Sequence, residues 1–247
     1  MSARLSHLEQ TASAARLGVS SMSGIVDMGL PRMPQGVVFD MDGLIFDTET
    51  TYRDALMATA ADLGHRLPED FFFALIGLPS EVALPLWHAE FGPDIDIDAF
   101  LAEARRRFHA RVEAGDLLKP GVVELLDTIG SLSIPHAIAT SSKRDTVEHH
   151  LAAHGLTNRF PVIVAHGDYA RGKPNPDPFL LAAERLHLPP EACIALEDSH
   201  NGVRAAASAG MMTVMVPDLL EATDEIRKLC VHVARDLHEI RGMVKAA

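Results

Sequence analysis

An alternation restricts the fold more than any other feature of this sequence. From residue 122 onward, short apolar runs trade places with stretches of helical period. Residues 122–132 carry helical spacing, 135–139 read as a strand, and 144–154 as a helix stopped at Gly155. Strand 161–165, helix 179–188, strand 193–196 and helix 203–209 follow, with Gly210 placed to end the last of these. Residues 212–216 form a further strand, closed by Pro217. A final helix and a short strand near 231–233 complete the chain. Strands that alternate with helices predict a parallel sheet covered on both faces. Right-handed crossovers then place all the strand ends on one side. The expected class is α/β: a Rossmann-like parallel sheet with helices on both faces, plus an inserted all-helical subdomain.

The first strand lies upstream of this alternation. Val37-Val38-Phe39 is a short apolar run with β-branched residues, and it ends on Asp40. In an open parallel sheet, ligands bind outside the carboxyl ends of the strands. Asp40 therefore faces the binding crevice. Asp42 stands one pleat further on and can point the same way. Gly43 lets the chain turn away at once. Alone, this spacing reads as two solvated acids at a strand end. Two carboxylates this close repel each other unless a cation separates them. Mg²⁺, a hard cation that takes oxygen ligands, is the natural candidate.

After Thr48, and as far as residue 116, the pattern is helical with no strand signal. Tyr52, Leu56, Ala60 and Leu63 recur at three- and four-residue steps, ending at Gly64. Residues 71–75 form a second apolar patch. Val82, Leu86 and Trp87 mark a third helix, broken at Gly92-Pro93, and residues 100–112 a fourth. The organisation expected is a flexible extension over 1–34, a core domain over 35–49 and 117–247, and a helical insert over 50–116.

Further strand ends add to the chemistry. Thr140 and Ser141 offer a hydroxyl and backbone N–H groups at a helix start, an anion cradle. Glu197 and Asp198 form a second acidic pair, with Ser199 placed to cap the next helix. Lys173, in a loop rich in Gly and Pro, supplies a point cation. Phosphoryl transfer needs carboxylates for a metal, a carboxylate free to attack, hydroxyl and amide donors, and a lysine.

Four groups of residues carry a family resemblance. They are Phe39-Asp40-Met41-Asp42-Gly43-Leu44 with Asp47-Thr48-Glu49; Ala139-Thr140-Ser141-Ser142; Gly172-Lys173-Pro174 with Pro176-Asp177; and Glu197-Asp198-Ser199 with Gly202-Val203. In this order and spanning residues 37–217, they resemble the haloacid dehalogenase superfamily, in particular its β-phosphoglucomutase-like phosphatases. The resemblance implies that Asp40 is a nucleophile and Mg²⁺ ligand. It implies that Asp42 is the general acid and base and ligates Mg²⁺ through its backbone carbonyl. Thr140 and the Ser141 amide would hold the transferring group, with Lys173 bridging nucleophile and phosphate. Asp198 would be a metal ligand, with Glu197 beside it or behind it. The helical insert matches the family's cap, which closes over the substrate and excludes water.

Departures from the family's patterns narrow the reading. Dehalogenases and phosphonate hydrolases of the superfamily lack an acid where Asp42 stands, so phosphate esters are favoured. Its mutases carry a cap arginine and a histidine where this chain holds Ser80 and Tyr52. A phosphatase is therefore expected over a hexose-phosphate mutase. A non-catalytic binding protein on the same fold is the rival from another class, and phosphate release from an aryl phosphate would separate the two. The substrate expected is a small phosphorylated metabolite, a sugar or nucleoside phosphate.

Composition excludes other classes. Lys plus Arg total 22 and Asp plus Glu 34, a formal charge of −12. Such a chain gains nothing from the counterion release that drives nucleic-acid binding, and it is unsuited to anionic membrane surfaces. Cys193 and Cys230 are isolated, which fits a reducing cytoplasm. A monomer or weak homodimer is expected. The first 34 residues lack the apolar stretch of a secretory signal. Their Arg and Ser content faintly resembles a transit peptide, but a frayed extension is the expectation, with a loose helix over 5–17 and Met22, Met28 or Met33 as alternative starts. His150 and His154, four apart on a helix, are read as a solvated face rather than a zinc pair, and Arg105-Arg106-Arg107 likewise as an exposed face. His200 is read as capping or solvated, with contact to a leaving group as the alternative. Trp87 is assigned to the core of the insert.

Overall fold

The computed structural model describes residues 30–75, 80–92, 95–115 and 117–246, with only the backbone at 80 and 81. The expected helix over 5–17, the loop Gly77-Leu78-Pro79 and the side chain of Ser80 lie outside the described residues. Residues 30–34 depart from the expected frayed extension. Leu30 is buried in the main apolar cluster, and the Arg32 guanidinium donates to the Glu191 carbonyl.

The sheet forms from strands β1 (Gly36–Phe39), β2 (His136–Lys143), β3 (Val162–His166), β4 (Cys193–Glu197), β5 (Met212–Met215) and β6 (His232–Val233). Their spatial order is β3-β2-β1-β4-β5-β6, and every pairing is parallel. The order reverses at β1 and β4, which makes the crevice beyond their carboxyl ends the topological switch point.

Helices α5 (Val122–Ser131), α6 (Arg144–Ala153) and α10 (Leu237–Ala246) cover one face, and α7 (Asp177–Arg185) and α8 (His200–Ser208) the other. A short α9 (Asp224–Leu229) packs Ile226 against Val203 and Met215. The central strand shows why both faces must be covered. Val37 and Phe39 join one apolar cluster while Val38 joins the other, and all three are fully buried. Each such side chain contributes roughly 1.5–3 kcal/mol by leaving water.

Helices α1 (Thr48–Asp62), α2 (Glu69–Leu75), α3 (Ser80–Phe91) and α4 (Ile97–Ala114) gather round their own apolar cluster. Trp87 lies at its centre, stacked on Phe91 and tilted against Phe100. Leu63, expected on the buried face of α1, is half exposed because the helix ends one residue earlier. The chain enters and leaves this unit through two linkers that lie side by side. Asp47 N–H donates to the Leu117 carbonyl at 2.7 Å and Lys119 N–H to the Ile45 carbonyl at 2.9 Å.

Several boundaries shift from the sequence reading. β2 continues through Thr140-Ser141-Ser142 to Lys143, with a register irregularity against β3, so α6 begins three residues beyond Ser141. The Thr140–Ser141 donors therefore belong to a strand end and not to a helix N-terminus. Helix α8 starts at His200 rather than at 203, because the Ser199 hydroxyl accepts from Gly202 N–H and caps it there.

Candidate active site

Phe39 pairs with Leu196 across the β1–β4 seam, so Asp40 and Glu197 emerge side by side at the switch point. The Asp40 N–H donates to the Leu196 carbonyl at 2.9 Å, which fixes its backbone. Lys173, buried with them, reaches across from the loop before α7. Its Nζ donates to Asp40 Oδ1 and, at 2.5 Å, to Glu197 Oε1.

The second oxygen of Glu197 is more heavily used. Oε2 accepts from the Asp198 and Ser199 N–H groups at 3.1 Å each and from the Ser199 hydroxyl at 3.0 Å. Glu197 is wholly buried, and the absence of a side chain on Gly202 makes room for it. A Cβ at Gly202 would lie 1.8 Å from Oε1. With both oxygens engaged, Glu197 acts as the anchor of Lys173 and stands behind Asp198.

Asp198 is free in the way Glu197 is not. Among the described residues no donor reaches its carboxylate, nor Asp40 Oδ2. The backbone of Gly43 makes room for it. Gly43 has φ +82°, and a Cβ there would lie 2.2 Å from Asp198 Oδ2. Asp40, Glu197 and Asp198 present ligand oxygens within 4.8 Å of one another. Burial pushes the Asp40 carboxyl up, and Glu197 and Asp42 add to this against the pull of Lys173. Burial, then Asp40 and Glu197, raise Asp198 in the same direction. Burial pulls the Lys173 ammonium down, but the two carboxylates outweigh it and hold it charged. Three buried acids share one lysine, with carboxyl oxygens facing the cavity, and a bound cation would favour their ionised forms. That donor set fits a hard divalent cation.

Asp42 sits one pleat beyond Asp40. Its Oδ2 accepts from the Ser142 hydroxyl at 2.6 Å. Thr140 is buried, and its Oγ1 accepts from Ser142 N–H at 3.0 Å, while Ser141 is exposed to the cavity. The irregular end of β2 thus carries three hydroxyls, and sequence reasoning gave roles to two of them.

A cavity of about 570 Å³ opens over these residues, between the sheet edge and the helical unit. Helix α1 contributes Glu49 and Tyr52, and α4 contributes Arg105, Phe108 and His109. Glu49 lies among acids. Burial raises its carboxyl, and Asp42 and Asp218 add to the effect. Asp218 follows β5 and Pro217, so the strand-end argument that found Asp40 could have found it. Its Oδ1 accepts from Lys119 Nζ at 2.5 Å, while its Oδ2 is buried without a partner among the described residues.

Two expectations are corrected here. His150 and His154 are not a solvated face. His150 is buried edge-on to Phe46 and lines the cavity, and burial holds its imidazole below the usual range. His154 Nε2 accepts from the Leu117 N–H at 3.1 Å, which ties α6 to the returning linker. The three arginines of α4 also divide. Arg106 and Arg107 bond to Glu103 as an exposed face should, whereas Arg105 lines the cavity. His200 does not line it, and Nε2 contacts the Glu221 carbonyl at 2.9 Å instead.

Residues 37–216 match the model of a family described as haloacid dehalogenase-like hydrolase. A Thermotoga maritima protein named phosphorylated carbohydrates phosphatase is 35% identical over 181 residues, covering 72% of this chain and 82% of that protein. A Drosophila melanogaster protein named for pseudouridine-5'-phosphatase activity is 35% identical over 187 residues, covering 73% and 80%. Among solved structures, one from Thermotoga maritima named as a β-phosphoglucomutase superposes with a TM-score of 0.72 at 32% identity. It covers 86% of this chain and 99% of that one.

Proposed function

The chain belongs to the haloacid dehalogenase-like hydrolases, as a phosphoric monoester hydrolase, and on that premise we propose that it cleaves a sugar or nucleoside phosphate through an aspartyl-phosphate on Asp40. The observation that carries this reading is the Asp40–Lys173–Glu197 chain. One oxygen of Asp40 is held by a lysine that is itself anchored, while the other faces the cavity without a donor among the described residues. A carboxylate so placed can attack phosphorus in line while the lysine neutralises charge on the phosphoryl oxygens.

Asp42 protonates the leaving oxygen as the P–O bond breaks, and so becomes a carboxylate. It then takes a proton from the water that attacks the aspartyl-phosphate. The Ser142 hydroxyl orients it for both steps. Thr140 and the Ser141 amide hold the transferring group. Asp40, Asp198 and the backbone carbonyl of Asp42 would hold Mg²⁺, with Glu197 behind them. When bound, the ion would neutralise charge that develops on the phosphoryl group. The helical unit over 50–116 acts as a cap that pivots on its paired linkers and shuts water out.

The test is release of phosphate from p-nitrophenyl phosphate with Mg²⁺ or with chelator. The parent should turn over only with the metal. Asp42→Asn should slow turnover by about 10²–10⁴-fold. Undiminished activity in excess chelator would remove the metal from this reading.

A further inference from the structure

The three consecutive arginines of α4 differ in what they face. Arg106 and Arg107 bond to Glu103, and Arg107 also to Asp62 on α1. Arg105 has no hydrogen bond or ion pair among the described residues and borders the cavity. It shares that face of α4 with Phe108 and His109, three and four residues on, which is the spacing of one helical stripe. Beside this stripe, on the neighbouring α1, stands Tyr52, edge-on to Phe108. The Arg105 charge acts on the Tyr52 phenol, opposing the upward push of burial. Arg105 stands on α4, the helical-unit wall of the cavity, and not on the sheet-edge wall that carries Asp40, Thr140 and Lys173. There a leaving group would lie, and the transferring phosphate would not.

An unpaired guanidinium over a cavity rich in acids is a binding group that waits for an anion. The transferring phosphoryl group already has Lys173 and the donors of Thr140 and Ser141. We propose that Arg105 binds a second anionic group on the leaving side, so that the preferred esters carry a carboxylate or a second phosphate there. This assignment rests on the phosphatase reading above. It places the specificity cation on α4, whereas the resemblance to the superfamily's mutases implies one where this chain holds Ser80. Guanidinium suits either anion, since both accept its paired N–H groups.

The experiment compares three esters with one skeleton: glycerol 1-phosphate, 3-phosphoglycerate and glycerol 1,3-bisphosphate. The parent should favour one or both of the esters with an anionic leaving side over glycerol 1-phosphate by about 10-fold or more in kcat/KM. Arg105→Gln should lower kcat/KM for those esters by about 10- to 100-fold, chiefly through KM, and leave glycerol 1-phosphate within about 3-fold. Arg105→Lys should recover part of the loss. Comparison of the carboxylate and bisphosphate arms identifies the anion. An equal loss on all three esters means that Arg105 only balances Glu49 or packs the wall, and overturns the proposal. So does a parent without preference. Binding to Asp40→Asn, followed by calorimetry with and without Arg105→Gln, reads the same subsite without turnover. If p-nitrophenyl phosphate is not hydrolysed by the parent, the phosphatase reading fails on its own. The subsite then stands or falls on a selective loss of bisphosphate binding.

Discussion

Two ionic clusters in this molecule each hold a glutamate against basic side chains and end in opposite electrostatic states. At the switch point, Asp40, Glu197 and Asp198 share one lysine, and burial drives Asp40 and Asp198 up. At the far edge of the sheet, a single acid, Glu239, is shared by several donors. His232 Nε2 contacts its Oε1 at 2.7 Å, and Arg235 gives its Oε2 a side-chain bond at 2.9 Å and a backbone bond at 3.1 Å. Burial would raise Glu239, but His232 and Arg235 outweigh it and hold it at about 2. The direction follows the ratio of donors to acids. Where donors outnumber acids, the cluster stabilises the fold. Where buried acids outnumber cations, the cluster costs stability, and such perturbed carboxyls gather at functional sites.

The largest effect should come from Asp40→Asn, which would break the first cluster. Turnover should fall by at least about 10⁴-fold. The melting temperature in chelator should hold or rise, because the variant removes a buried acid that burial disfavours. Calorimetry of parent and variant in chelator reads this directly. A fall of several degrees would mean that Asp40 is a net stabiliser and that the two clusters are alike.

Gly202→Ala comes next. Gly202 lies in the first turn of α8, where alanine should gain about 1 kcal/mol by propensity alone. The added Cβ would meet the Glu197 carboxylate at 1.8–2.1 Å, so Glu197 must move and Lys173 lose its anchor. Overpacking of this kind costs about 1–3 kcal/mol and outweighs the propensity gain. Activity should fall by about 10²-fold alongside a lower melting temperature. A variant more stable than the parent, at full activity, would show that Glu197 has slack.

Glu239→Gln tests the second cluster. A carboxyl held at about 2 when folded, against about 4.3 when unfolded, adds stability that is fully present above the unfolded value. That stability is lost as pH falls through the folded value. The variant should therefore melt several degrees below the parent at pH 7. The gap should persist to about pH 5 and narrow from about pH 4.3 toward 2. A gap that does not change with pH would mean that Glu239 acts through packing and not through charge.

What was legible in the sequence follows from how local each cause is. The β-branched run before Asp40 and the strand–helix alternation are short-range signals, and they gave the sheet and its direction. The Glu197–Asp198 pair was visible, but which of the two turns inward was not, because that depends on the space over Gly202. Asp218 and Lys119 meet at 99 residues' separation, and no local pattern joins them. The spacing of His150 and His154 was visible, but Phe46, which contacts both rings, lies on a linker some hundred residues earlier. The Arg105–Arg107 run looked uniform because sequence shows charge and not the partner that each charge faces.

The smallest effect should come from Glu103, which sharpens the comparison by matching Glu239 in one respect only. Its carboxyl is also held at about 2, chiefly by hydrogen bonds from Arg106 and then Arg107. The cluster links α4 to α1 through Arg107 and Asp62, but on the outer surface of the helical unit. Water and salt screen such pairs, and long side chains lose entropy in holding one geometry. Glu103→Gln should therefore move the melting temperature by about 1 °C or less, and about 0.5 M salt should erase even that. A fall as large as that from Glu239→Gln would show that the α1–α4 contact depends on this pair. The stability of the helical unit would then rest on its surface charges more than on the apolar cluster round Trp87.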